Sequence, residues 1–218
     1  MENSQELNAN QEDPLQQKTT KEAIVKETHT NQKLNPLPLG LFGFALTTIL
    51  LNLHNAGVFG PNNATPNIAI VAMGLFIGGI AQIIAGILAF KLSNTFSGTA
   101  FVAYGLFWWS LVFIWINPFF DSGIANASSR VMGFYMLGWG LFTALMFIAE
   151  LKHNVLSRVV FGTLTILFLV LSVAYFTQIS WIKTTAGIIG IICGLFAFYS
   201  GLAQVINAEL GRKIFPIF

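Results

Sequence analysis

Counted in helical steps from Phe44, residues 35–55 (NPLPLGLFGFALTTILLNLHN) place Thr48, Asn52 and Asn55 on one face and Leu, Ile and Phe on the others. Hydroxyls and amides at that spacing can hydrogen-bond water or a small solute along a helix otherwise suited to lipid. They can equally bond back to their own helix or sit at a membrane interface. His54 closes the stretch, serving either a vestibule or local structure. Acid–base, metal and nucleophilic chemistry have no comparable support. The chain has one cysteine, Cys193, inside an apolar run, which excludes internal disulfides and cysteine-rich metal sites. With no catalytic pair and no phosphate-binding loop, neither an enzyme nor an ATP-driven pump is expected. No cofactor, metal ion or nucleic acid is implied.

These polar groups are carried by an unusually apolar chain. Hydrophobic residues make up 55% of the 218 positions and charged residues 9%, which marks an integral membrane protein. Charge is absent from runs 34–90, 92–120, 131–149, 159–182 and 184–208. A spanning helix needs about 20 apolar residues; the first run holds two, divided by Gly60, Pro61, Asn62, Asn63 and Pro66. The sequence therefore predicts an all-α bundle of six transmembrane helices, near 38–54, 67–90, 95–116, 130–149, 156–179 and 181–207. Strand alternation is missing, which argues against a β-barrel. Pro36 and Pro38 push Asn35 and Leu37 towards extended backbone, so the first helix should start near Pro38.

Residues 1–34 are rich in Asn, Gln, Glu, Lys and Thr and cannot bury enough surface to fold alone. They are expected to form a disordered tail, with His29 solvated, ahead of a transport domain over 35–218. The tail lacks a secretory signal pattern, so the first helix is expected to act as an uncleaved one. An even number of spans puts both termini on one side. That side would hold nine of the eleven basic residues, leaving Arg130 and Lys183 opposite, so the positive-inside rule predicts cytoplasmic termini in a cell membrane.

In the second helix Gly74, Gly78, Gln82 and Gly86 recur every fourth residue; in the sixth, Gly190, Gly194, Ala197, Gly201 and Gln204 do nearly the same. Both read as seams where backbones approach closely, with Gln82 bonding across to a neighbouring helix. The echo of GIAQII (79–84) in GLAQVI (201–206) reflects that shared packing. The glycine-poor fifth helix suits lipid or a neighbouring subunit. Trp115 reads as an interfacial belt residue, whereas Tyr104, near mid-bilayer, needs a partner or a wet cavity. Asp121 and Arg130 in the loop between the third and fourth helices should be solvated.

Without a carboxylate or a cation inside any span, a solute would meet hydroxyls, amides, rings and apolar walls. Such walls suit a weak acid carrying its own proton, or a neutral polar molecule, better than a bare ion.

Five segments carry a resemblance. NPLPLGL at 35–41 resembles the NPAPLGL signature of the acetate uptake transporter family, departing at Leu37; TTILLNLHN (47–55), GGIAQIIAG (78–86), NTFSGTAF (94–101) and GRKIFPI (211–217) match as well. The resemblance runs from Asn35 to Ile217. It implies a six-helix protomer in a homohexamer, with one pore per protomer for acetate and related small carboxylates, succinate included in some members, as a channel or with protons. It further implies that Asn35, Pro36, Pro38 and Gly40 mark the pore mouth. Phe44, Tyr104 and Leu164 correspond to a hydrophobic constriction, and Ala197 to a position tied to substrate choice. Position along the bilayer already singles out Phe44 and Tyr104; Leu164 is selected by the resemblance alone. Two other readings stay open: ammonium or ammonia movement, and a non-transporting membrane sensor or scaffold.

Overall fold

The computed structural model describes residues 34–60, 67–152 and 154–217. The expected tail, the prolines and asparagines of the first loop and His153 lie outside them. The chain divides into two units, 1–35 and 36–218; the second carries every helix described below.

Among the described residues six helices are long and apolar enough to cross a membrane: α1 (Leu37–Asn55), α2 (Ile68–Lys91), α3 (Thr95–Ile116), α4 (Ser129–Glu150), α5 (Val155–Thr177) and α6 (Ser180–Glu209). The starts of α2, α3, α4 and α5 are set by side chains that satisfy orphan amides. Asn67 accepts from the Ala69 N–H at 2.9 Å, Asn94 from Ser97 at 3.0 Å, Ser128 from Val131 at 3.3 Å and Asn154 from Ser157 at 2.8 Å. α1 departs from expectation at its start. Leu37 is already helical and Pro36 is the cap, with φ −80° and ψ −10°. The proline penalty on Leu37 is small in a first turn, and Gly40 N–H closes that turn on the Pro36 carbonyl at 3.3 Å. Asn117 and Gln178 end α3 and α5 in left-handed conformations, φ 38° and 57°.

α1 packs along α6 on one side and α2 on the other; α2 also packs on α3, and α6 on α5, which packs on α4. Both glycine seams appear. A methyl at Gly194 would lie 2.5 Å from Ile49, and one at Gly187 would meet the Ala56 backbone. On α2, Gly86 lies against Val102 and Gly98 of α3, and Gly78 against Trp108. The ring of helices closes at α3 and α4 through side chains. Ser110 Oγ and the Tyr135 hydroxyl lie 2.7 Å apart, and Phe107 meets Trp139 edge-on at 5.1 Å between centroids. α5 exposes Ile166 and Val173 outward, as its composition predicts, yet its opposite face lines the bundle interior.

Two findings on α2 were not legible beforehand. Residues Met73–Ala81 form a π-helix, a form that is usually confined to a single turn. Its carbonyls find donors elsewhere: Trp109 Nε1 donates to the Leu75 carbonyl at 3.0 Å and Thr47 Oγ1 to that of Met73 at 3.4 Å. Gln82, expected to bond across the seam, is fully buried with neither amide atom hydrogen-bonded. It faces Gly43 of α1, which has no side chain to offer it a partner.

Candidate functional site

Successive turns of α1, α3 and α5 build a passage inside the bundle. At the α1 N-terminal end, Leu41, Phe101 and Phe161 line a cavity of about 370 Å³ together with polar Ser97, Ser157 and Glu150. One turn further along each helix come Phe44, Tyr104 and Leu164, which line a middle cavity of only about 30 Å³. Beyond it, Leu51, Leu111, Met136 and Leu171 belong both to this middle cavity and to a third of about 260 Å³ at the α1 C-terminal end.

The neck between these chambers is apolar and tight. Phe44, Tyr104 and Leu164 are 7%, 3% and 3% exposed. The Phe44 and Tyr104 rings stand 6.2 Å apart, and Phe161 and Phe142 enclose the Tyr104 ring at 6.2 and 5.8 Å. The Tyr104 hydroxyl does find the partner its depth requires. It donates to Thr143 Oγ1 at 3.0 Å, and Thr143 donates to the Trp139 carbonyl at 2.7 Å. The hydroxyl is thus held against α4, and the neck wall toward a solute is ring and aliphatic surface. Sequence reasoning did not select Thr143; a threonine inside an otherwise apolar α4 was the available signal.

Thr48 and Asn52 line the middle cavity. Asn52 donates to the Thr48 carbonyl at 2.9 Å and accepts from Asn55 Nδ2 at 3.2 Å, so the stripe bonds partly to its own helix. Its amide fills the space that a methyl on Gly190 would need. Asn55, His54 and Trp115 line the chamber at the α1 C-terminal end; Trp115 is therefore a cavity wall as well as an end-of-helix aromatic. Ala197, fully buried in the core, does not line these chambers. It lies on α6 between Cys193, whose thiol donates to the Val160 carbonyl of α5 at 3.4 Å, and Ser200, which lines the first cavity.

The mouth motif divides. Pro36 and Gly40 are buried, Pro38 is half-buried and Asn35 exposed. A methyl on Gly40 would sit 2.6 Å from the Phe101 ring, so the bare backbone there seats an aromatic wall of the first cavity. Asp121 and Arg130 are exposed, as expected. Among the described residues no group of His, Cys, Asp and Glu could hold a metal ion.

Residues 17–215 match the model of the GPR1/FUN34/yaaH family. The chain is 46% identical to the succinate-acetate/proton symporter SatP of Escherichia coli (strain K12), over 86% of this chain and 97% of that protein. Ammonia transport outward protein 2 of Saccharomyces cerevisiae is 39% identical, over 80% of this chain and 62% of that longer protein. A solved structure of the bacterial acetate channel SatP superimposes with a TM-score of 0.79 at 44% identity, covering 86% of this chain and all of that one. These relatives are transporters and channels of the membrane.

Proposed function

The chain belongs to the GPR1/FUN34/yaaH family, and from that premise we propose that it carries acetate and related small carboxylates, succinate among them, across a cell membrane. The observation that carries the reading is the dry neck of Phe44, Tyr104 and Leu164 between two chambers lined with polar groups. A carboxylate anion would shed its hydration there with no compensating charge, whereas the protonated acid has far less to lose. Passage as the neutral acid moves one proton with each acetate and two with each succinate, which supports proton-linked flux. The protein is no enzyme in this reading: the walls offer binding surface and no reacting group.

Signature residues Pro36, Pro38 and Gly40 shape the α1 N-terminal mouth, and Thr48, Asn52 and Asn55 give the passage beyond the neck its polar side. Ala197 acts indirectly, by fixing how closely α5 and α6 approach. The positive-inside bias supports cytoplasmic termini. The apolar outer faces, including Ile166 and Val173, together with the family resemblance, support a homohexamer with one passage per protomer. Mass measurement of the detergent-free complex tests the assembly, and a monomer with full flux would make it dispensable.

Labelled acetate influx into liposomes containing the purified chain, with and without a pH gradient, tests the function. Influx above that of empty liposomes, raised by an inward proton gradient, is the expected result. Selective ammonia flux would instead favour the activity named for the yeast relative, and no flux of any small solute would leave a sensor or scaffold.

A further inference from the structure

The chamber at the α1 C-terminal end differs from the rest of the passage in carrying a lysine and a histidine. His54, in the last turn of α1, and Lys183, in the first turn of α6, both line it. His54 is 7% exposed, and neither side chain makes a hydrogen bond or ion pair among the described residues. Lys183 also lines an adjoining cavity of about 370 Å³. That second lobe contains Ser129 and Ser180, the first residues of α4 and α6, so the positive ends of two helices face the same space. Asp121 and Arg130, exposed on the α3–α4 loop, line neither lobe. The Lys183 ammonium at a water-accessible cavity, with no acidic side chain among the lining residues, creates a local positive potential, and such a potential concentrates small anions; the His54 imidazole beside it adds a polar ring. Asn55 and Asn126 add amide donors to the same wall, suited to carboxylate oxygens.

We propose that this chamber is a carboxylate-collecting site, in which Lys183 is the charge anchor and His54 its neighbour, loading the passage with the anionic form of the solute ahead of the dry neck. The proposal rests on the carboxylate reading above and assigns where the solute is first held. The anion held there takes up a proton from the water of the chamber and enters the neck as the neutral acid, so the holding step matters most when the solute is dilute. It leaves the rate at saturation to the neck itself.

The test uses the full chain in liposomes with labelled acetate. Lys183→Gln should raise the half-saturating acetate concentration about threefold to tenfold with the maximal influx kept, and Lys183→Arg should restore it. His54→Gln should raise it about twofold. Raising choline chloride from about 0.01 to about 0.15 M shortens the screening length from about 30 to about 8 Å; wild-type influx at dilute acetate should then fall, and Lys183→Gln influx should not. Lys152→Gln, an exposed lysine in the α4–α5 turn, controls for net charge and should leave both readings unchanged. A Lys183→Gln variant with wild-type half-saturation and wild-type salt response overturns the site while the transport reading stands. If the wild type shows no acetate influx, transport fails, and saturation-transfer NMR of acetate on the detergent-solubilised protein decides the site separately. A signal that Lys183→Gln abolishes keeps the site, and one that it leaves intact removes it. Should Lys183→Gln not fold, the His54→Gln and Lys183→Arg pair is read by the same criteria.

Discussion

Tyr104 donates its hydroxyl to Thr143 across the α3–α4 boundary at 3.0 Å, where the two helices meet through side chains and not through close backbones. The bond ties the neck's aromatic wall to α4 and spends the one donor the neck could have offered a solute. Tyr104→Phe keeps the ring and should lower stability by about 0.5–1.5 kcal/mol, the net worth of one hydrogen bond. Acetate flux at matched expression should fall by no more than about threefold, the equivalent of well under 1 kcal/mol. Unfolding in detergent and liposome influx check the two halves separately. A tenfold loss of flux with unchanged stability would mean that the hydroxyl serves the solute and not α4.

Leu164 and Phe44 should control size. The middle cavity holds about 30 Å³, so removing either side chain adds a large fraction of the available room. Leu164→Ala and Phe44→Ala should shift the acetate-to-succinate influx ratio toward succinate. Loss of packing opposes the gain, since such truncations cost about 2–5 kcal/mol in a core, and folded yield must be matched before ratios are compared. An unchanged ratio in both variants would remove these side chains from the neck.

Gly190 and Asn52 should behave as a coupled pair. Because a methyl at Gly190 would overlap the Asn52 amide, Gly190→Ala must displace that amide or part α1 from α6. Thermal stability should drop by about 1–3 kcal/mol, the usual cost of overpacking, and flux should fall with it. Adding Asn52→Ala should recover part of the loss, and a coupling energy above about 0.5 kcal/mol in the double-mutant cycle identifies direct contact. Strict additivity would place the two effects at separate sites.

Pro36 and Pro38 fix the chain where it enters α1. Replacing both by alanine frees the mouth in the folded and the unfolded chain alike, so acetate flux should decline while membrane insertion and the bundle persist. Full flux in a well-expressed double variant would exclude the motif from transport.

The sequence alone determined the number and approximate positions of the spans, because a charge-free run of sufficient length has only one stable fate in a bilayer. It also determined which faces of α2 and α6 pack closely, since small residues at helical spacing permit backbone approach whatever the partner. The tertiary structure decided everything that depends on which helix lies opposite which. Gln82 was read as a cross-helix bond, yet it faces Gly43 of α1, which has no side chain, and neither of its amide atoms is hydrogen-bonded. The π-helical stretch of α2 exists beside Trp109 and Thr47, donors on two other helices, and no local propensity encodes that. Tyr104 could be marked as needing a partner, but choosing Thr143 required knowing that α3 and α4 adjoin. Lys183 and His54, placed on the same side by the count of spans, become one chamber only when α1 and α6 pack side by side. Helix periodicity is local and readable along one strand of sequence; the pairing of helix faces is a property of the whole bundle.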